Sequence, residues 1–279
     1  MQDEERLVWA HRDIEQRCGF RGLQFTRVGG WLSCIVALGL TLLAYGILFA
    51  SGPNRISDMF FERGMTPYVI AFFALWSVTI LMIKRSKLSL QREALSLRVV
   101  PEETDFVLSV VTVDDVMNRL FEVADDPKRF VLLNRIHVAL SNLRNLGRVT
   151  DVGEILRSRA DHDESVMETS YNMVRSLVWA IPILGFIGTV SGLSTAIGGF
   201  GRVLSETQDP AELIDALKGV TGGLATAFET TLVALIAAMI VQMAMSMLKK
   251  NEEEFLDECE EFCHRDIVNR LRLNALESE

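Results

Sequence analysis

Residues 182–192 read PILGFIGTVSG and lie within a longer run, 176–201, that contains no Asp, Glu, Lys, Arg or His. Gly188 and Gly192 are four residues apart, and Gly185 adds a small residue one turn earlier. In lipid, small residues at this spacing allow two helix backbones to approach closely. The motif therefore predicts a membrane-spanning helix whose glycine face packs against a second helix.

Three further segments are similarly apolar. Residues 28–52 and 64–83 also lack charged residues and His, and residues 219–248 contain only Glu229. A membrane-spanning helix needs about 20 largely apolar residues. Hydrophobic residues make up 49% of the 279-residue chain. Their concentration in four blocks predicts an all-α membrane protein and excludes an ordinary soluble enzyme.

The Lys and Arg residues near these segments indicate how the chain is oriented. The connections expected on one side carry Arg55, Arg63, Arg202 and Lys218. The span ends expected on the other side are flanked by Arg21, Arg27, Lys84, Arg85, Lys87, Arg92, Arg175, Lys249 and Lys250. Basic residues gather on the cytoplasmic side of a membrane. We therefore predict that both termini and the long segment 84–175 are cytoplasmic.

The net charge of −9 is concentrated at the C-terminal end. Residues 251–279 contain ten acidic and three basic residues. Nucleic-acid binding requires a basic face that neutralises phosphates. The charge distribution therefore predicts that nucleic acid is not a partner.

The pattern of spans and charges predicts five parts in chain order. They are a cytoplasmic N-terminal helix (1–27), transmembrane helices 1 and 2 (28–83), a cytoplasmic helical domain (84–175), transmembrane helices 3 and 4 (176–248) and an acidic cytoplasmic C-terminal helix (249–279).

Local signals place helices within the cytoplasmic parts. Thr112, three residues before Asp115, is typical of a helix start, and the Asp-Pro pair at 126–127 predicts a helix over 127–146. Nothing interrupts the helical pattern from Thr150 to the proline of the glycine motif, so the third span should continue as one long helix. After the fourth span, apolar residues at helical spacing predict a packed face. This face consists of Phe255, Cys259, Phe262, Cys263 and Ile267.

Polar residues within the third and fourth spans are candidates for an ion path. Thr189 lies about 20 Å from either end of its span, near the membrane midplane. On the fourth span, Thr226, Glu229 and Thr230 fall on one helical face. Threonine hydroxyls can also bond carbonyls of their own helix. A charged acid at depth costs about 2.5–3.5 kcal/mol. Glu229 is therefore either a neutral structural group or part of an ion path.

Two blocks resemble the MotA/TolQ/ExbB proton-channel family. The first is the Pro-x-x-Gly-x-x-Gly-Thr-Val-x-Gly run at 182–192, and the second is the Leu-x-Thr-Ala-x-x-Thr-Thr-Leu-x-Ala-Leu run at 224–235. The long segment before the first block and the short connection between the blocks also match. Four spans resemble the flagellar stator arrangement, whereas the Gly-Thr-Val block resembles the three-span ExbB/TolQ branch.

The resemblance implies an ion channel of the bacterial inner membrane that carries H⁺, or Na⁺, without enzymatic turnover, cofactor or metal site. It implies a homopentamer whose third and fourth helices line a pore around a dimer of a single-span partner. That partner carries an essential Asp, and ion flow drives rotation of one ring against the other. By position, Thr189 and Thr226 would face the Asp. The cytoplasmic domain would contact any cytoplasmic effector.

The expected roles divide between ion path and packing. The predicted ion-path residues are Thr189, Thr226, Glu229 and Thr230. The predicted helix-packing residues are Pro182, Gly185, Gly188, Gly192, Gly222 and Gly223. A non-conducting membrane scaffold is the alternative function, and a neighbouring gene for a short single-span protein with an Asp near its start would favour the channel. A secondary transporter is disfavoured because the spans show no inverted repeat.

Overall fold

A computed structural model describes most of the chain. The described residues are 7, 9, 14–17, 22–23, 25–52, 60–61, 64–97, 99–100, 108–109, 112–146, 150–206 and 209–271. Within them the fold is helical, and the β-structure is limited to isolated bridges. The predicted N-terminal helix over 1–27 lies largely outside the described residues, which include a helical turn at Ile14–Arg17.

Seven longer helices occur in these ranges. They are α1 (Gly30–Ala50), α2 (Thr66–Glu93), α3 (Val113–Val123), α4 (Val131–Leu146), α5 (Thr150–Ser170), α6 (Asn172–Glu206) and α7 (Pro210–Asp266). Short 3-10 turns follow α2, precede α4 and follow α7, at Ala94–Ser96, Pro127–Arg129 and Val268–Arg270.

Four helical stretches are long and apolar enough to span a membrane. They are Gly30–Ala50, Thr66–Ser96, Asp151–Glu206 and Pro210–Arg270. Large apolar side chains on these stretches are exposed in the single chain, including Trp31, Phe49 and Trp179. A surface of this kind is stable in lipid and unfavourable in water. The prediction of an all-α membrane protein with four transmembrane helices is confirmed.

The chain divides into two compact units. The first contains residues 1–29, 82–171 and 247–279, and the second contains 30–81 and 172–246. The second unit therefore holds most of the apolar spans, and the first holds α3, α4, α5 and the C-terminal part of α7.

The second unit has a core in which small and large residues alternate. Ile70, Ile181, Ala234 and Ala238 are buried together. The small alanines on α7 leave room for the larger isoleucines, which allows the helices to approach closely. Elsewhere in this unit, the Trp76 indole donates a hydrogen bond of 3.0 Å to the hydroxyl of Ser33.

The first unit buries apolar faces of α3, α4 and the C-terminal part of α7. On α3 and α4 the buried residues include Val113, Val116, Leu120, Leu132, Leu133, Ile136, Leu140 and Leu143. On α7, Phe255, Cys259 and Cys263 are buried as predicted, and Phe262 is half-buried. Ile267, in the turn that follows α7, is buried as well.

The start of α4 differs from the prediction. A helix over 127–146 was expected, but Pro127–Arg129 forms a 3-10 turn, Phe130 is extended, and α4 begins at Val131. The buried amide of Gln91 explains the difference. Its oxygen accepts from the N–H of Val131 at 2.9 Å, and its nitrogen donates to the carbonyl of Arg129 at 2.8 Å. A side chain from α2 thus satisfies backbone groups that a continuous helix would have paired internally.

The predicted long helix before the third span is interrupted at one residue. α5 ends at Ser170 and α6 begins at Asn172, with Tyr171 in a turn between them. The N–H of Tyr171 donates to the carbonyl of Glu168, three residues earlier, at 3.2 Å. This tighter bond interrupts the i to i−4 pattern of the α-helix. The expectation of one unbroken helix from Thr150 to Pro182 is therefore wrong at this position.

A buried network in the first unit centres on Lys84 and Glu252. Their charged groups are 3.3 Å apart, and both side chains are almost fully buried. Glu252 also accepts hydrogen bonds from the hydroxyls of Tyr171, at 2.7 Å, and Thr26. Lys84 donates to the hydroxyl of Ser170 at 2.8 Å, and its ammonium lies 4.3 Å from the centre of the Tyr171 ring. The network joins the segment before α1 to α2, α5 and α7.

Two more buried ion pairs lie in the same unit. Lys87 pairs with Glu15 and donates to the carbonyl of Arg27 at 2.8 Å. The guanidinium Nε of Arg135 on α4 donates to the Oδ2 atom of Asp163 on α5 at 2.7 Å. Burial raises the pKa of Asp163, and the Arg135 pair opposes that shift. Removal of either partner from a buried pair of this kind destabilises the fold, because it leaves the other charge buried without a counter-charge.

Candidate ion-path site

Glycines of the 182–192 motif lie where α6 crosses α7. A Cβ atom added to Gly185 would lie 2.6 Å from the Cβ of Ala234 and 3.3 Å from the Cα of Thr231. One added to Gly192 would lie 3.4 Å from the Cβ of Ala227. These distances are at or below van der Waals contact, so the two helices approach closely because these positions lack a side chain.

Two more glycines extend this contact. A Cβ atom on Gly188 would lie 3.0 Å from a methyl of Thr230 on α7 and 3.1 Å from a methyl of Thr66 on α2. On α7, a Cβ atom on Gly223 would lie 2.7 Å from the Cβ of Ala196. At Gly222 such an atom would meet nothing within 4 Å in the described part of the chain.

Thr189 sits within the crossing rather than on an isolated helix face. Its hydroxyl is hydrogen-bonded to the hydroxyl of Thr231 on α7. It also lies 3.1 Å from the carbonyl of Gly185 and 3.2 Å from that of Ala227. Thr231 in turn donates to the Gly185 carbonyl at 2.9 Å. The two hydroxyls therefore link the helices at the point where glycine allows the closest approach.

The predicted fourth-span residues do not all lie together. Thr230 is buried beside Gly188 and Thr66, whereas Glu229 is half-buried. At about 100° per residue, Glu229 lies roughly 150° around α7 from the face that contacts α6. Thr226 lies within α7, and its side chain is outside the described residues. The crossing thus brings Thr189 and Thr230 to one helix contact and leaves Glu229 on another side of α7.

Two threonines at this site, Thr231 and Thr66, were not predicted from the sequence. Thr231 was part of the threonine-rich fourth span but was not a predicted site residue, and Thr66 lies at the start of α2, distant in sequence. The signal for Thr231 is its place in the same Thr-Thr pair as Thr230. Thr66 carries no comparable local signal, because only the fold brings α2 beside Gly188.

A groove of about 650 Å³ opens beside the crossing in the second unit. Small residues and hydroxyls line it, among them Gly188, Ser191, Thr195, Gly223 and Thr230. Hydroxyls both donate and accept hydrogen bonds. The groove could therefore accommodate water, an ion or a neighbouring helix with a polar side chain.

These features define a helical membrane protein with four spans, the last two of which pack through glycine and join through paired threonines. Residues 125–261 match the model of the MotA/TolQ/ExbB proton channel family. The matched segment, about half of the chain, runs from just before α4 into the C-terminal part of α7. Neither the comparison with curated proteins nor the comparison with solved structures gave a match.

Proposed function

We propose that this chain is the channel-forming stator subunit of an ion-driven motor in the bacterial inner membrane. It works as a homopentamer around a dimer of a single-span partner that carries an essential Asp. The transported ion is H⁺, or Na⁺, and its flow drives rotation or mechanical work. Both termini and the first unit are cytoplasmic, where the first unit contacts an effector.

The observation that carries the proposal is the Thr189–Thr231 pair at the glycine crossing, within the segment that matches a proton channel family. A threonine hydroxyl can donate to a carboxylate and accept from a carboxylic acid. A ring of such hydroxyls suits a partner Asp that alternates between its two protonation states. In the ring, Thr189 exchanges its contact with the α7 carbonyl for a contact with that Asp.

The groove beside the crossing, rather than the apolar outer faces of α6 and α7, supports assembly. Phe186, Val190 and Ile197 on α6, and Leu232 and Met239 on α7, are exposed in the single chain. In lipid these side chains need no protein partner, but the adjoining groove exposes glycine and hydroxyl groups that favour a neighbouring helix. We infer that neighbouring subunits and the partner's helix cover this side of the crossing.

Thr189→Val and Thr226→Val should each abolish ion flux while leaving insertion and assembly intact. Valine keeps the shape of threonine and removes the hydroxyl that would contact the partner's Asp. Flux is measured in proteoliposomes that contain the partner, and assembly is measured by native mass spectrometry in mild detergent.

The matched control is Thr41→Val on α1. The Thr41 hydroxyl donates to the carbonyl of Ala37 in its own helix at 2.7 Å, so its loss should leave flux unchanged. Normal flux in both pore variants would contradict the assignment. A purified wild-type complex that is monomeric or dimeric would contradict the pentamer.

We propose that the Glu229 carboxyl is part of the ion path and relays protons, so Glu229→Gln should reduce flux. Glutamine keeps the shape and most of the hydrogen bonding but removes the titratable proton. Glu212→Gln, in the exposed first turn of α7, is the control. Flux equal to that of wild type in Glu229→Gln would assign this residue to packing alone.

A further inference from the structure

A second cavity, of about 360 Å³, lies in the first unit between α4, α5 and the C-terminal part of α7. It is separate from the crossing described above, which belongs to the second unit. Its lining includes Arg135, Arg157, Glu260 and His264, together with apolar Leu156 and Val268. The volume is at the lower end of the range for small-molecule sites, about 300–1,000 Å³.

Arg135 is the most informative residue of this cavity. It is only 2% exposed, and its Nε atom donates to Asp163 at 2.7 Å. Within the described ranges this is the one hydrogen bond that the guanidinium makes, although a guanidinium has five N–H donors. None of the guanidinium nitrogens is a fully enclosed atom that lacks a hydrogen-bond partner, so the remaining donors keep some access to their surroundings. The side chain lines the cavity, which makes these donors available to a ligand there.

Two further nitrogen-bearing side chains complete this arrangement. Arg157 on α5 and His264 on α7 are exposed and line the same cavity. Neither forms an ion pair or hydrogen bond with another side chain among the described residues. Glu260 is the one acidic lining residue. The Arg135 charge is balanced by Asp163, so Arg157 is the guanidinium of this lining whose charge has no ion-pair partner among the described residues.

We propose that this cavity binds a phosphorylated small molecule of up to nucleoside-monophosphate size. Guanidinium groups recognise phosphate through paired, charge-assisted hydrogen bonds. Arg135 and Arg157 hold the phosphate, and His264 adds a third donor. Leu156 and Val268 contact the organic part, and Glu260 accepts a hydrogen bond from one of its hydroxyl or amino groups.

Such a ligand would join three helices of the first unit. Arg135 belongs to α4, Arg157 to α5 and His264 to α7. A ligand that binds only the folded chain stabilises it by mass action. Binding should therefore raise the thermal stability of the first unit, and this effect does not depend on the proposed ion path.

The test is calorimetric titration of the purified full chain in detergent with adenosine 5′-monophosphate, adenosine and inorganic phosphate. The two phosphates should bind, and adenosine should not. Arg157→Gln and His264→Gln should each weaken binding of the monophosphate about tenfold, since each removes a charge-assisted or polar contact. Both substitutions leave the Arg135–Asp163 pair intact, so the fold is preserved.

Arg265→Gln is the matched control. Arg265 follows His264 directly, but its side chain is exposed and pairs with Glu261 and Asp266 outside the cavity lining. Its loss should leave affinity unchanged. The proposal is overturned if neither phosphate binds at millimolar concentration, if adenosine binds as tightly as its monophosphate, or if Arg265→Gln weakens binding as much as Arg157→Gln.

Discussion

Gly185→Ala is expected to destabilise the contact between α6 and α7 by about 1–3 kcal/mol, the usual cost of overpacking a tight core. The new methyl group would lie 2.6 Å from the Cβ of Ala234 and 3.3 Å from the Cα of Thr231. Neither neighbour is a flexible side chain that could move aside, so the helices themselves must separate. Thermal unfolding of the purified chain in detergent measures the effect.

The control and the rescue use the same two helices. Gly199→Ala, also on α6, adds a methyl group that meets nothing within 4 Å among the described residues. It should be neutral or slightly stabilising, because alanine favours a helix over glycine by about 1 kcal/mol. Ala234→Gly should restore stability to the Gly185→Ala chain by removing the opposing methyl group. Equal stability of the Gly185→Ala and Gly199→Ala chains would refute the close approach.

Glu252→Ala is expected to lower the free energy of unfolding by about 3–5 kcal/mol, because it leaves a buried charge uncompensated. Lys84 is 1% exposed and lies 3.3 Å from the Glu252 carboxylate, which also accepts from Tyr171 and Thr26. Without that carboxylate the ammonium loses its counter-charge in a low-dielectric site. Denaturant unfolding followed by circular dichroism measures the loss.

Glu254→Ala is the matched control for this experiment. Glu254 is two residues away on α7 and pairs with Lys250, and both side chains are largely exposed. Surface pairs of this kind contribute about 0–1 kcal/mol. A double variant, Lys84→Met with Glu252→Leu, removes both charges and should recover much of the stability that Glu252→Ala loses. If Glu252→Ala and Glu254→Ala were equally stable, the buried network would not be holding the unit together.

Membrane-spanning architecture could be predicted from the sequence because it depends on local composition. A run such as 176–201 without charged residues must avoid water wherever it lies in the fold, and four such runs are confirmed as helices long and apolar enough to span a membrane. The start of α3 could also be predicted from local sequence, because Val113 begins the helix and Thr112 occupies its N-cap, although the Thr112 side chain makes no capping hydrogen bond. The resemblance to the proton channel family also depends on short stretches of sequence, and the match of the family model over residues 125–261 confirms that resemblance.

Contacts between distant residues could not be predicted in the same way. Lys84 and Lys87 read as basic residues flanking a span, but the fold buries them against Glu252 and Glu15. The sequence gives no sign that these carboxylates lie nearby. The same is true of the Gln91 amide, which sets the start of α4 at Val131.

In the candidate site, the sequence by itself determined which helices would pack through glycine, and the tertiary structure alone decided which residues meet. Helical spacing placed Thr226, Glu229 and Thr230 on one face of an isolated helix. In the structure the neighbouring face of α7 contacts α6. Thr231 is therefore hydrogen-bonded to Thr189, and Gly223 rather than Gly222 lies against Ala196. The physical reason is that periodicity fixes the angles between residues on one helix, whereas the rotation of that helix about its axis is set by packing against its neighbours.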